Sequence, residues 1–233
     1  MSTSLEFTGP PKILEGDKGF FAAACPDAIP SAVTASSQAP WELMQTSIKP
    51  WPCCRHTHPS LDAALDLHGE LNGAEIEKVD VETYQAVLDV CDRPLVENEY
   101  EARFSLQHTV AVALRNGNVN FQSFAPEVRE ELASLRQKIS IAAAEPWVSA
   151  YPVSWGARVT VTTNNGSEHK ADRAGARGDP ELALDDNEML EKAHMLLEFG
   201  GCNRTDSRRI IDGIVSLPTG GSDIVTFLRD QFN

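Results

Sequence analysis

The chain has 233 residues, of which 42% are apolar and 23% are charged, and this balance is typical of a globular protein and excludes a disordered one. Its formal net charge of −14 excludes nucleic acid and anionic membranes as expected partners, because phosphate contacts need clustered lysine and arginine. No run of about 18 apolar residues occurs, so no membrane helix is expected.

The N-terminus and the cysteines indicate an intracellular protein. The first residues have neither the basic start nor the apolar core of a secretory signal. The five cysteines are an odd, scattered set without a Cys-x-x-Cys pair, which argues against zinc ribbons and common iron–sulfur sites. Reduced thiols are the simplest interpretation, and we expect a cytoplasmic or mitochondrial location.

The first part of the chain changes from loop to helix to strand. Residues 1–40 are rich in glycine, proline and alanine, and only residues 19–24 favour a helical turn, which we expect to be buried. A helix is predicted from His58-Pro59 to Leu71, because proline suits a first turn and the leucines repeat at helical spacing. Asn72-Gly73 ends this helix. Alternating apolar and polar residues over 76–84 predict a half-buried strand.

The second part contains more strands, followed by helices. The pattern predicts helices over 100–115 and from 125 to about 144. Strands over 158–162 and 168–173 are joined by an Asn-Asn-Gly turn, which is typical of a hairpin. Further helices are predicted over 185–199, 204–217 and 222–232. Strands in the middle and helices at both ends indicate the α+β class, with an α/β unit inserted into a helical body.

A proline-braced loop over residues 49–58 gathers ionisable side chains that a binding site needs. Lys49 can bind a carboxylate or, when desolvated, act as a base. Arg55 offers a planar fork that matches a carboxylate, while His56 and His58 titrate near neutrality and can transfer a proton. In so acidic a chain, an anionic substrate needs such a local group of cations. The alternative is a proline-rich connector with solvated charges.

The same loop contains two adjacent cysteines, Cys53 and Cys54. Small, half-buried packing is the preferred interpretation, with a redox element as the alternative. A metal site formed with His56 and His58 is a further alternative. We expect no metal, because ligands this close in sequence rarely surround a tetrahedral ion.

The helix around residue 104 offers a second group of polar residues. Arg103, Gln107 and His108 could line a pocket. For Arg103 the favoured interpretation is a pair with Glu99 one turn earlier. For His108 the pattern leaves open a pocket residue or a hydrogen-bonded core residue.

Three stretches resemble one known family. They are residues 8–20 (TGPPKILEGDKGF), residues 49–59 (KPWPCCRHTHP) and residues 101–114 (EARFSLQHTVAVAL). The middle stretch is the most specific and is similar to a Lys-Pro-aromatic-Pro loop. Together they resemble the MmgE/PrpD family, whose members include 2-methylcitrate dehydratase and cis-aconitate decarboxylase.

The resemblance implies a domain arrangement. Family members have an all-helical body made from both ends of the chain, with an α/β lid inserted between them and the active site in the cleft. On this pattern residues 1–45 are a remnant of the helical domain, residues 46–175 are the α/β lid domain, and residues 176–233 are C-terminal helices that return to the body. Family chains are longer at the N-terminus, so the sequence is similar to the C-terminal part only, a truncated form lacking the N-terminal catalytic helices.

The resemblance also implies a chemistry. The family removes water or carbon dioxide from small polycarboxylates, or epimerises them, without a nucleotide, metal or iron–sulfur cofactor, and a homodimer is expected. Carried over by position, Lys49 and His58 are the expected catalytic residues. The expected substrate-binding residues are Arg55, His56 and His108.

Three hypotheses follow. The first is a cofactor-independent lyase of this family acting on a polycarboxylate such as 2-methylcitrate or cis-aconitate, although this chain alone is expected to be catalytically impaired. The second is a non-catalytic remnant that acts as a binding or assembly module. The third is a metal-binding domain that uses the Cys53–His58 segment.

Overall fold

A computed structural model describes residues 12–17, 19–25, 27, 29, 31 and 42–217. The chain forms two units, residues 1–44 and residues 45–233. In the first unit, helix α1 (Phe20–Ala24) lies where the sequence predicts a helical turn, but the predicted burial is wrong, because none of its residues is buried. The predicted further boundary after residue 175 stays a prediction. The predicted helix over 222–232 and the first four residues of the 8–20 motif lie outside the described residues.

Four strands form one mixed sheet within the described part of the second unit. The order is β2–β1–β3–β4, with β1 parallel to β2 and antiparallel to β3, and with β3 antiparallel to β4. Both predicted hairpin strands and the predicted strand after residue 75 are confirmed. The strands are β1 (Ile76–Thr83), β2 (Ile139–Ala143), β3 (Ala157–Thr163) and β4 (Glu168–Arg173).

Alternation along β3 explains why this strand lies inside the sheet. Ala157, Val159, Val161 and Thr163 are buried, and the residues between them are partly exposed. Successive side chains point to opposite faces of a strand, so this pattern gives one fully covered face. The turn into β4 has Gly166 at φ +83°, a conformation that glycine adopts without a steric penalty.

Helix α2 (His58–Leu71) covers the sheet and confirms the predicted helix. It packs against β3, β4 and helix α5 (Leu106–Asn116). Leu61 and Leu67 have no exposed surface, so α2 supplies much of the core that holds the unit together. Asn72, in the left-handed conformation at φ 44°, ends the helix as the Asn-Gly signal predicts.

The remaining helices fall into two groups along the chain. Those before the last two strands are α3 (Gln85–Cys91), α4 (Glu99–Arg103), α6 (Pro126–Glu131), α7 (Ala133–Arg136) and α8 (Trp147–Ala150). The C-terminal pair is α9 (Asp186–Phe199) and α10 (Arg204–Val215), which pack on each other as predicted helices. Short 3₁₀ helices are Glu42–Gln45, Arg55–Thr57, Phe121–Phe124 and Pro180–Leu182.

Two predicted helices need correction. The predicted helix over 100–115 is two helices, α4 and α5, because Ser105 caps α5 by accepting a hydrogen bond from the backbone N–H of His108 at 3.0 Å. The predicted helix from 125 to about 144 is wrong in its second half. There β2 pairs in parallel with β1, and α6 and α7 end before it.

The α+β class is confirmed by this mixture of helices and sheet. Among the described residues no helix combines the length and apolar character that crossing a bilayer requires.

Candidate functional site

The 49–58 loop is held in place by backbone hydrogen bonds on both sides. The N–H of Ile48 donates to the carbonyl of Gly178 at 2.8 Å, and the N–H of Cys54 donates to the carbonyl of Arg103 at 2.9 Å. Gly178 has φ +88°, and a Cβ there would lie 1.9 Å from the Ile48 oxygen. Only glycine at this position lets the two segments approach so closely. Backbone contacts therefore set the position of the loop.

His58 lies on the core side of the loop, at the first position of α2. Its ring has no exposed surface, and neither ring nitrogen has a hydrogen-bond partner among the described residues. Burial, followed by the nearby charges of Arg55 and Lys49, lowers the pKa of His58 to about 3, and the backbone of Cys53 and the charge of Asp179 oppose this only partly. The imidazole is therefore neutral at pH 7 and enclosed by the core.

Asp62 is a second buried polar residue on the same side. It accepts hydrogen bonds from Trp51 Nε1 at 2.8 Å and from the backbone N–H of Arg177 at 3.0 Å. Burial raises the pKa of the Asp62 carboxyl, and the two hydrogen bonds only partly oppose this. Asp62 thus ties the proline-rich segment to the chain after β4.

His56 stands in an aromatic cluster. Its ring stacks on Trp155 with centroids 4.6 Å apart and planes inclined by 2°, and its Nδ1 is 2.9 Å from the hydroxyl of Tyr84. Tyr84 in turn stacks on Tyr151 at 4.4 Å. Burial lowers the pKa of His56, followed by the charge of Arg55. The half-buried ring is thereby held neutral and fixed in orientation.

Arg55 is engaged within the protein. Its guanidinium pairs with Asp179, which also accepts a hydrogen bond from Ser47 Oγ at 2.5 Å. Burial raises the pKa of Asp179, but the hydrogen bonds from Ser47 and Arg55 outweigh it, and the net pKa lies below its usual range. Arg55 Nη1 is buried without a hydrogen-bond partner in the described part of the chain.

A cavity of about 430 Å³ opens beside the loop and has a distinctive charge. Three cations line it, Lys49, Arg103 and Lys192, and no aspartate or glutamate is among the described residues of its wall. We call it the cationic cavity. The other lining residues are Pro50, Trp51, Pro52, Cys53, Cys54, Tyr100, Phe104, Phe121, Met195 and Leu196.

The three cations differ in how far they are already paired. Arg103 pairs with Glu99, as predicted, and its guanidinium lies 5.4 Å from the ring centroids of both Phe121 and Phe124. Lys49 is exposed, and its Nζ donates to the carbonyl of Cys53 at 3.3 Å. Lys49 therefore retains donors that can face a ligand.

Two neighbouring cavities have mixed charge. One of 820 Å³ is lined by Lys49 and Arg55 but also by Asp179 and Glu181. The other, of 610 Å³, has three basic residues in its wall, offset by three glutamates on α9. The cationic cavity is thus the one of the three whose wall favours an anion.

His108 lies in the core between α5 and the segment before α6. Its Nε2 is 2.9 Å from the carbonyl oxygen of Ser123, and its ring packs near Phe124. Burial lowers the pKa of His108 to about 4. Its described contacts are those of a hydrogen-bonded core residue, and the substrate-binding role predicted for it stays a prediction.

The structure separates the predicted site residues. Lys49 and Arg55 share the 820 Å³ cavity, whereas the described walls of the three cavities do not contain His56, His58 or His108. Lys192, on α9, was missed by sequence reasoning. A lone lysine on an amphipathic helix gives no local signal, and only the packing of α9 beside the loop brings it to the cavity.

The metal-site alternative receives no support from the described residues. Histidine, cysteine, aspartate and glutamate side chains form no group of three or more there that could hold an ion. Cys53, Cys54, His56 and His58 have different surroundings, because the loop turns Cys53 and His58 into the core.

Comparison with models of known protein families identifies the family of the chain. Residues 51–216 match the family model of the MmgE/PrpD C-terminal domain, which covers more than half of the chain. A search of curated proteins found no relative.

Proposed function

Because the chain belongs to the MmgE/PrpD family by its C-terminal domain, we propose that it forms the C-terminal part of a lyase that acts on a small polycarboxylate, such as 2-methylcitrate or cis-aconitate. The proposal places the ligand in the cationic cavity. The reaction is dehydration, decarboxylation or epimerisation, all of which begin or end at a carbon next to a carboxylate.

The charge of the cavity is the observation that carries this proposal. The whole chain has a net charge of −14, so its long-range field repels a polyanion. The wall of the cationic cavity nevertheless contains Lys49, Arg103 and Lys192 without a described carboxylate. Such a cluster favours a small polycarboxylate, whose carboxylates can form charge-assisted hydrogen bonds with the cations. A neutral metabolite cannot form them.

The cations also serve the chemistry. Removing a proton or carbon dioxide next to a carboxylate builds negative charge on the substrate, and positioned cations stabilise that charge as it develops. Lys49 supplies a point charge from the loop, and Lys192 supplies a second from α9. Arg103, already paired with Glu99, braces the wall and adds a partly screened charge.

In this proposal His58 supports the loop and does not contact the ligand. A neutral imidazole can accept a proton, but the ring is fully enclosed in this conformation. Direct contact with the ligand therefore belongs to Lys49, and His58 supports the loop from the core. The catalytic role predicted for His58 stays a prediction, as do the binding roles predicted for Arg55 and His56.

Calorimetric titration with citrate, cis-aconitate and 2-methylcitrate tests the binding site. We expect Lys49→Met and Lys192→Met each to weaken binding by about 10- to 100-fold, because each removes one charge-assisted hydrogen bond. Lys170→Met is the matched control, since Lys170 lies exposed on edge strand β4 and pairs with Glu168. Equal affinities for all four proteins would contradict the cavity assignment.

Turnover measured on the same acids separates the two functional hypotheses. Release of water or carbon dioxide by the chain, lost in Lys49→Met, supports the lyase. Tight binding without turnover supports the binding-module alternative for this chain. Thermal unfolding of each variant shows whether a loss comes from the site or from the fold.

A further inference from the structure

Cys53 and Cys54 are adjacent but face different surroundings. Cys53 is buried, with its sulfur 3.3 Å from the hydroxyl oxygen of Thr57. Cys54 is half-buried, although both residues line the cationic cavity. The two thiols therefore differ in burial and in their hydrogen-bonding neighbours.

Cys54 has a second thiol beside it. Cys91, the last residue of α3, is fully buried, and its thiol lies close enough to Cys54 to hydrogen-bond to that sulfur when it is a thiolate. Helix α3 packs against the 3₁₀ helix that follows Cys54, so tertiary structure brings the two thiols side by side across 37 positions of sequence. A partly exposed thiol that can hydrogen-bond to a buried thiol is the arrangement of an oxidisable cysteine and its resolving partner.

The local electrostatics distinguish the adjacent thiols. The hydrogen bond from Cys91 lowers the pKa of Cys54 to about 6, assisted by the backbone N–H of His56 and the charges of Lys49 and Arg93, and opposed by burial. Burial raises the pKa of Cys53 to about 12. The hydrogen bond to Cys54, together with burial, raises the pKa of Cys91, so Cys91 keeps its proton. The thiolate is the nucleophile, and it forms at Cys54.

We propose that Cys54 and Cys91 form a reversible disulfide when the protein meets a hydroperoxide. The Cys54 thiolate attacks one oxygen of the hydroperoxide and the O–O bond breaks. The other oxygen takes up a proton and leaves as water from hydrogen peroxide, or as an alcohol from an organic hydroperoxide. Cys54 is then a sulfenic acid. The Cys91 sulfur, on losing its proton, attacks the Cys54 sulfur and expels hydroxide, which leaves as water. The two thiols lose two electrons, and the hydroperoxide gains them.

The disulfide changes the wall of the cationic cavity. It replaces an anionic sulfur near Lys49 with a neutral one, so the cavity becomes more cationic. It also adds a covalent link between the loop and α3, where the reduced protein has only a hydrogen bond and packing. Formation of the disulfide does not depend on the ligand proposed for the cavity, so the two proposals fail or stand separately.

Peptide mapping of the oxidised chain tests the disulfide. The reduced protein is treated at neutral pH with a small excess of hydrogen peroxide, remaining thiols are alkylated, and the digest is analysed by mass spectrometry without reduction. We expect a Cys54–Cys91 linked peptide that dithiothreitol removes. Before oxidation, iodoacetamide should alkylate Cys54 at least about 100-fold faster than Cys53, because Cys53 remains protonated.

The two adjacent cysteines provide a matched pair of variants. Cys53→Ser should keep the linked peptide and Cys54→Ser should lose it, each after thermal unfolding has confirmed the fold. Fragmentation of the wild-type linked peptide assigns the bond between the two neighbours even where a variant fails to fold. A bond through Cys53, a bond between two chains, or consumption of Cys54 without an intramolecular bond would overturn the proposal.

Discussion

The core side and the cavity side of the 49–58 loop give the same residue types different chemistry. Cys53 is buried against Thr57 and keeps its proton, whereas the half-buried Cys54 loses it near neutral pH, although both residues line the cationic cavity. His58 is enclosed without a hydrogen-bond partner among the described residues, whereas His56 stacks on Trp155 and has the hydroxyl of Tyr84 at its Nδ1. The residue type therefore determines which chemistry is available to a side chain, and its burial determines its protonation state and its partners.

The largest expected effect lies on the core side. Leu61 has no exposed surface, and Leu61→Ala should lower the free energy of unfolding by about 2–5 kcal/mol through lost burial and a residual cavity. Leu95→Ala is the matched control, because Leu95 is 79% exposed and its loss should change stability by less than about 0.5 kcal/mol. Urea unfolding of both variants measures the difference. Similar values for the two would place α2 outside the core.

The next effect comes from His58 and depends on pH. The pKa of His58 is about 3 in the folded protein and 6.5 in its ordinary state, so the unfolded chain binds an extra proton between these values. Stability therefore falls as pH drops below 6.5, by about 1.4 kcal/mol per pH unit from His58 alone. His58→Leu removes this dependence and also two unbonded ring nitrogens.

Urea unfolding between pH 4.5 and 6.5 measures the two slopes. The variant should be less acid-sensitive by about one proton, with stability at neutral pH changed by less than about 1.5 kcal/mol. His108 and His56, whose pKa values burial also lowers, remain in both proteins and contribute equally to both slopes. Parallel curves for wild type and variant would mean that His58 is accessible to protons in the folded state.

The smallest expected effect concerns the ion pair of Arg55 and Asp179, which line the 820 Å³ cavity. Asp179→Asn leaves the mostly buried guanidinium of Arg55 without its counter-charge and should lower the free energy of unfolding by about 1–3 kcal/mol. Asp172→Asn removes one of two carboxylate partners of the partly exposed Arg158, which keeps Glu82, and should change the free energy of unfolding by less than about 1 kcal/mol. Thermal unfolding in low and high salt checks both. Equal effects would show that Arg55 and Asp179 are solvated like a surface pair.

Local signals predicted much of the fold. Proline at the start and Asn-Gly at the end bounded α2, and the Asn-Asn-Gly turn fixed the β3–β4 hairpin. Strand β2 was missed because its residues are compatible with a helix, and parallel pairing with β1 makes them a strand. The break at Ser105 was missed because a serine inside a periodic stretch becomes a cap only when its hydroxyl finds the N–H of His108.

The candidate site was likewise predicted only in part from the sequence. The loop with Lys49 and Arg55 was found from composition, since prolines and cations within ten positions are a local pattern. Lys192 was not found, because 143 positions separate it from Lys49 and only helix packing brings both to one cavity. The engagement of Arg55 by Asp179 was equally beyond reach, since the pair spans 124 positions.

The sequence by itself determined the family, the α+β class and the loop that carries the ionisable groups, because these depend on neighbouring residues. Tertiary structure alone decided which sulfur is a thiolate, which histidine is enclosed and which cations meet in one cavity. The physical reason is that burial and distant charges set the protonation and accessibility of a side chain, and both depend on residues far away in the sequence.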